Sequence, residues 1–361
     1  MSNFSIAVIP GDGIGREVTP AAFEVAQKAA LLYGDTLDPT QFTWGTDYYL
    51  QHGIMMPVDG VDQLRHFDAI FLGAVGHPEV PDHITLNGLL LPIRRELDLF
   101  ANVRPSILYA GTESPVRYVS PGEVDIVVVR ENTEGEYSQV GGFVYKNQLN
   151  EVAVQTAVFT RRGVERIIRY AFELAQRRSQ RRKVTSVTKS NAQGFSMVLW
   201  DRVFDEVAAE YDSVETESLL VDAAALNFVR RPQTFDVVVA SNLFGDILSD
   251  LAAMVTGGLG LAASANIDPL RRCPSMFEPV HGTAPDIAGQ GIANPLGSVF
   301  SAVMMLDHLG LLEAAKSLDS AAQGMIAEGK VRTPDLGGNN TTAEIAEALM
   351  SRLEQAGTAA I

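Results

Sequence analysis

The chain predicts an α/β fold, on three observations. Short apolar, β-branched runs alternate with segments of helical periodicity. The best of those runs, Val237–Ala240 in Phe235-Asp-Val-Val-Val-Ala240, has the length and branching of a parallel strand buried on both faces. At 361 residues, 46% of them hydrophobic, the chain has core enough for two domains.

In order, the strand candidates are Ser5–Ile9, Asp68–Leu72, Asp125–Val129, Val184–Thr188, Val214–Val221 and Phe235–Ala240. Helices are expected at Arg16–Leu32, Leu89–Leu99, Arg161–Gln176, Gln193–Tyr211, Asp246–Val255, Val299–Leu309 and Thr342–Gln355. One stretch breaks the alternation. Residues 134–160 carry Gly141-Gly142, polar turns and Val152-Ala-Val-Gln-Thr-Ala-Val158, which predicts a hairpin arm outside the main sheet, suited to pairing with another subunit. The motif Pro10-Gly-Asp-Gly-Ile-Gly15 sits between a strand and a helix but is not a Rossmann fingerprint. The third glycine of that pattern would fall on Arg16, and no second strand ends in an acidic residue about 20 positions on.

Composition excludes several classes. The net charge of −16 argues against a nucleic-acid partner. The basic run Arg177-Arg-Ser-Gln-Arg-Arg-Lys183 reads as a solvated helix end and the loop after it. No apolar run reaches the roughly 18 residues of a membrane helix, and the first residues already read as a strand rather than a signal peptide. A single cysteine, Cys273, precludes an internal disulfide and suits a reducing cytoplasm.

Several residue types point to chemistry. Asp246 and Asp250 lie one helical turn apart just after the strand Val237–Ala240, where two carboxylates can hold a hard divalent cation. A dipole-complementing Asp246 beside a solvated Asp250 is the alternative. Arg94, Arg104 and Arg130, taken together with the aspartate pair, are candidates for a polycarboxylate, because forked guanidinium donors match carboxylate oxygens; each alone is more often a surface salt-bridge partner. Lys189 follows a strand and suits a proton acceptor, or merely opens the next helix. Tyr137 is a proton donor or a packed loop tyrosine, and Asp222 a third carboxylate or an N-cap. The loop from Glu278 through His281, Gly282, Thr283, Ala284 and Asp286 to Asn294 offers small residues and backbone amides to a nucleotide, with Asp286 able to accept from ribose hydroxyls.

Together these motifs resemble the β-decarboxylating dehydrogenase family, which includes isopropylmalate, isocitrate, homoisocitrate, D-malate and tartrate dehydrogenases. The likeness runs from Pro10-Gly-Asp-Gly-Ile-Gly15 to Asp335-Leu-Gly-Gly338. It rests most specifically on Asn242-Leu-Phe-Gly-Asp-Ile-Leu-Ser-Asp250 and Glu278-Pro-Val-His-Gly-Thr-Ala-Pro-Asp286. It is strongest toward the tartrate and D-malate branch, through Trp44-Gly-Thr-Asp-Tyr-Tyr49, Val80-Pro-Asp-His-Ile-Thr-Leu86, Arg130-Glu-Asn-Thr-Glu-Gly-Glu-Tyr-Ser138 and Thr188-Lys-Ser-Asn191.

The resemblance implies a two-domain, non-Rossmann fold like that of isopropylmalate and isocitrate dehydrogenases. Residues 1–104 and 258–361 would form a large cofactor domain, and residues 105–257 a small domain bearing the arm 134–160. It implies a homodimer with shared sites. Arg94, Arg104 and Arg130 would bind substrate carboxylates; Asp246 and Asp250, with Asp222 of the neighbour, would ligate Mg²⁺ or Mn²⁺. Lys189 of that neighbour would take the hydroxyl proton and Tyr137 would protonate carbon. Glu278, His281–Asp286 and Asn294 would hold the dinucleotide, and K⁺ would be a further ion. NADP-using isocitrate enzymes carry Lys-Tyr where this chain has Asp286-Ile287, so NAD is expected. The implied reaction is oxidation of tartrate or D-malate, with D-malate decarboxylated to pyruvate. Residues 83–92 limit the substrate inference: D-malate relatives often carry an aromatic at Asn87, and Leu97-Asp-Leu-Phe-Ala-Asn102 is closer to isopropylmalate enzymes. 3-Isopropylmalate oxidation and redox-neutral decarboxylation of meso-tartrate therefore stay open.

Overall fold

A computed structural model describes residues 2–178 and 180–359. Its centre is a ten-stranded sheet built from β1 (Asn3–Gly11), β2 (Thr36–Gln41), β3 (Ala69–Ala74), β4 (Ala101–Ile107) and β5 (Asp125–Glu131). A separate hairpin, β6 (Gly135–Val144) and β7 (Val152–Val158), interrupts the chain before β8 (Lys183–Thr188), β9 (Glu215–Leu220) and β10 (Val237–Ala240). The sheet is completed by β11 (Ala263–Ile267) and β12 (Ser275–Pro279), in the order β2-β1-β3-β12-β11-β4-β5-β10-β8-β9.

Two parallel wings meet through an antiparallel middle. β2, β1, β3 and β12 run parallel; β12–β11, β11–β4 and β4–β5 are antiparallel; β5, β10, β8 and β9 are parallel again. This is not the all-parallel order of a dinucleotide-binding Rossmann sheet, as the failed glycine spacing predicted. The pleat explains the packing. Ile6 and Val8 of β1 enter a core with Phe71 and Phe277, while Ala7 and Ile9 enter another with Leu72 and Trp44 on the opposite face. A third core gathers Val127–Val129, Val237–Ala240, Phe172 and Trp200 around the other wing.

The structure corrects several element bounds. The strand expected over Val214–Val221 is shorter, β9 stopping at Leu220, and Asp222 is not the N-cap but lies in the first turn of the helix Val221–Arg230, whose N-cap is Leu220. The helix expected at Asp246 begins earlier, at Asn242, because Ser241 caps it by accepting from the Phe244 N–H. The helix expected over Leu89–Leu99 starts at Asp82 and passes through a π-helical turn, Leu86–Leu90, before Leu91–Glu96. Strands β2, β4, β11 and β12, and the helix Leu312–Glu328, are additional. The expected arm is present as the β6–β7 hairpin, with Val140, Phe143, Val144 and Val154 exposed along it. In the basic cluster, Ser179 lies outside the described residues, while Arg178 pairs with Asp125 and Asp236 and Lys183 with Glu215 and Glu217.

Candidate active site

Asp246 is the hub. Gly245 places it: a Cβ there would lie 2.7 Å from the Arg130 Cβ, so only glycine lets the helix Asn242–Val255 press onto β5. Arg130, nearly at the end of β5, then donates through Nη1 to Asp246 Oδ1, and through Nε and Nη2 to Asn242 Oδ1 at 3.1 and 2.7 Å. Arg104 on β4 donates through Nη1 to the same Asp246 oxygen at 3.1 Å and to Ser249 Oγ at 2.8 Å. The Tyr137 hydroxyl donates to the other oxygen, Oδ2, at 3.0 Å. Asn242 and Ser249 were not singled out in the sequence, and they fix the two guanidiniums.

The third arginine is turned inward. Arg94, in the short helix Leu91–Glu96, is buried and donates to Glu278 Oε1 at 2.6 Å. Glu278 thus faces Arg94 rather than the open loop that follows it. The preceding π-helical turn holds Asn87, whose Nδ2 donates to the His83 carbonyl at 2.6 Å.

Charge is concentrated here. Burial, then Arg104, presses the pKa of Arg130 down to about 9, which leaves it cationic at neutral pH. Burial lowers Arg104 too. For Asp246, burial works upward but Arg130 and Arg104 outweigh it and hold the carboxyl below its usual range. Asp250 moves the other way: burial, and the neighbouring Asp246, raise it. Burial followed by Asp246 raises Tyr137, so its hydroxyl keeps its proton at neutral pH.

Asp250 suits a cation. Its side chain is 57% exposed, and its ion pair, with Arg104, is long at 3.8 Å. Asp246 lies one turn away. Among the described residues, no group of three or more His, Cys, Asp or Glu side chains comes together in one chain as a metal site. Asp222 is elsewhere engaged: its Oδ1 accepts from Lys189 Nζ at 2.8 Å, and that bond holds its pKa low. Lys189 and Asp222 are therefore together, and Asp246 and Asp250 are together. The helices carrying Asp222 and Asp246 also show apolar side chains to solvent, Leu226 and Val229 on one, Ile247 and Met254 on the other.

The glycine-rich loops form a second cluster. Asp12, fully buried, accepts from Thr46 N and Oγ1 at 2.8 and 2.7 Å and from Gly76 N at 3.0 Å. That bracing presents Ile14 N to the Thr283 carbonyl at 2.9 Å, and Gly13, at φ +53°, allows the close approach. Glu17 anchors the far side of the 281–294 loop by accepting from Gly291 N at 2.8 Å. Asp12 and Glu17 were missed as scaffold residues, although the Gly-Asp-Gly motif was a signal for the first. A cavity of about 490 Å³ opens between the two loops, beside Gly13, Gly76, Thr283 and Pro285. Thr283 lines it, Ala284 takes a left-handed φ of +40°, and Gly282 and the exposed Asp286 flank them. His281 Nδ1 lies 3.0 Å from the Gly282 carbonyl, and burial lowers its pKa. Asn294 donates to Asp335 Oδ2 at 2.9 Å and accepts from Leu296 N at 3.0 Å. No helix among the described residues is long and apolar enough to cross a membrane.

The mixed sheet, the arginine–aspartate centre between β4, β5 and the helix Asn242–Val255, and the glycine-rich loops belong to an enzyme of the dehydrogenase and decarboxylase class. The chain belongs to the isocitrate/isopropylmalate dehydrogenase family, whose model matches residues 5–349. It is 52% identical over 357 residues to a probable tartrate dehydrogenase/decarboxylase of Bacillus subtilis, covering 98% of this chain and 99% of that one. It is 50% identical over 356 residues to the decarboxylating D-malate dehydrogenase of Escherichia coli, covering 97% and 98%. Among solved structures, isocitrate dehydrogenase from Methylococcus capsulatus superposes with a TM-score of 0.87 at 39% identity, over 98% of this chain and 100% of that one.

Proposed function

We propose that the chain is a cytoplasmic, NAD-linked and divalent-cation-dependent dehydrogenase of 2-hydroxy dicarboxylic acids. Tartrate and D-malate are its substrates, and D-malate is carried on to pyruvate and CO₂. The observation that carries this reading is the convergence of Arg104, Arg130 and Tyr137 on Asp246, one turn from Asp250. Names of the tartrate and D-malate relatives support the substrate class.

The proposed unit is a dimer of two-domain chains, 1–104 with 258–361 and 105–257, whose arms and apolar helix faces pair. Each site would combine Asp246 and Asp250 of one subunit with Lys189 and Asp222 of the other. A divalent cation held by the three aspartates would supply Lewis acidity at the oxygen on C2 of the substrate. Arg94, Arg104 and Arg130 would orient the two carboxylates. Lys189 would accept the hydroxyl proton as hydride passes from C2 to NAD. The bond to the carboxylate β to the new carbonyl then breaks, its electron pair staying on the substrate as CO₂ leaves, and the Tyr137 O–H protonates that carbon. Residues His281–Asp286 and Asn294 would hold NAD, with Asp286 accepting from a ribose hydroxyl and repelling a 2′-phosphate.

Turnover of D-malate, L-tartrate, meso-tartrate, 3-isopropylmalate and isocitrate with NAD and Mn²⁺, following reduced cofactor and CO₂ in parallel, tests the reading. D-malate and a tartrate isomer should lead. Dominant turnover of 3-isopropylmalate or isocitrate, or full activity in chelator-washed protein, would overturn it. CO₂ without reduced cofactor from meso-tartrate would mark the redox-neutral route as the main one.

A further inference from the structure

Beneath the three arginines runs a chain of buried amides. Asn102 and Asn266 are fully buried and Asn132 nearly so. Asn266 Oδ1 accepts from Asn102 Nδ2 and from Asn132 Nδ2, both at 2.9 Å. Its Nδ2 donates to Glu278 Oε1 at 2.8 Å and to the Met276 carbonyl at 3.3 Å. A primary amide has two acceptor sites and two donors, so every one is used and the side chain has a single orientation.

One branch ends on Arg94, and the other two hold residues two positions from Arg104 and Arg130. Glu278 Oε1, besides accepting from Asn266, accepts from Arg94 Nη2 at 2.6 Å. Asn102 stands two residues before Arg104 on β4, on the same face of the strand, and its register partners are Asn266 and Arg130. Asn132 stands two residues beyond Arg130, and its Nδ2 also donates to the Leu99 carbonyl at 2.9 Å, just after the helix that carries Arg94. Three like charges in one buried region repel one another, and only fixed partners keep them converged.

We propose that Asn266 is a positioning residue for the substrate arginines. Through Glu278 it sets Arg94, and through Asn102 and Asn132 it sets the stretches of β4 and β5 bearing Arg104 and Arg130. This rests on the reading above, in which these arginines hold a dicarboxylate.

The test is Asn266→Asp, which keeps the shape but turns the donor facing Glu278 into an acceptor. Losing that bond and opposing two carboxylates should displace Arg94 and raise the KM for D-malate or tartrate by about tenfold or more. A merely structural role would instead lower thermal stability and the active fraction, leaving the KM of the folded enzyme unchanged; that result overturns the proposal. Should the variant fail to fold, Asn132→Ala removes one donor further from Glu278, and the same split applies: a raised KM supports positioning, and an unchanged KM refutes it. Crystal structures of wild type and variant decide the point without turnover. Arg94 parted from Glu278 supports the proposal, and an unmoved Arg94 sinks it. A wild type that neither binds nor turns over any dicarboxylate would refute the functional reading instead, with the crystal structures still deciding what Asn266 holds.

Discussion

Pairing Lys189→Ala subunits with Asp246→Asn subunits should restore activity that neither variant has alone. Lys189 lies against Asp222 at 2.8 Å, while Asp246 lies against Arg104, Arg130 and Tyr137. Removing a positioned proton acceptor costs about 10²–10⁴ in rate, and Asp246→Asn takes away a charged ligand of the proposed cation, so each parent dimer should be nearly silent. In a hybrid dimer with shared sites, one site collects both lesions and the other collects neither. Random reassociation of equal amounts makes about half of the dimers hybrid, so about a quarter of all sites are intact. The mixture should therefore recover about 25% of wild-type turnover, read as reduced cofactor, with hybrids counted by native mass spectrometry. Confirmed hybrids as inactive as the parents would refute the shared site. So would a fully active monomer at high dilution.

Other outcomes follow from single residues. Asp250→Asn should cut activity by about tenfold or more while leaving the fold intact, since the side chain is largely exposed and its ion pair long; chelation with no effect on wild type would refute the metal role. Asp286→Ala should weaken NAD by about 1–2 kcal/mol and narrow its advantage over NADP, measured as Kd for each; a wild type that prefers NADP contradicts the assignment. Buried Glu131 has its pKa raised by burial from 4.5 to about 7, against the donors Thr133 and Glu134. The folded state thus favours its protonated form: that stabilisation is complete below pH 4.5 and is lost as pH rises through about 7. Glu131→Gln should flatten the corresponding fall in Tm, and an unchanged slope would assign it to other groups.

The strands legible in the sequence were those whose burial leaves a chemical mark. Ile126–Val129 and Val237–Ala240 are β-branched because both faces are covered. The others lack that mark for identifiable reasons. β2 is a mostly exposed edge strand containing Pro39, where a missing N–H costs nothing. β11 is Ala-Ser-Ala-Asn-Ile, small because Asn102, Ser264 and Asn266 pack at the centre of the sheet. β4 holds Arg104 and Pro105, which read as loop until the antiparallel pairing with β5 is known. The helix Leu312–Glu328 buries three alanines beside Leu318, Met325 and Ile326, a fainter stripe than leucines would make.

The site's residue types were legible, but its charge balance was not, because the balance is made by contacts between distant positions: Arg104 to Asp246, Arg130 to Asp246, Arg94 to Glu278. That balance has a consequence for binding. Asp246 is shared between Arg104 and Arg130, whose charges, against the upward pull of burial, hold its carboxyl below the usual range. A dicarboxylate arriving at those guanidiniums takes over this pairing and frees Asp246, beside Asp250, to face a cation. A cation drawing on Asp246 equally leaves the arginines short of negative charge and readies them for substrate. Each ligand should therefore tighten the other by one common factor, as linkage requires, of about 5–150-fold for typical coupling energies. Mn²⁺ titrated with and without D-malate, and D-malate with and without Mn²⁺, should yield that one factor. Strictly independent binding would show that Asp246 does not exchange partners between the arginines and the metal.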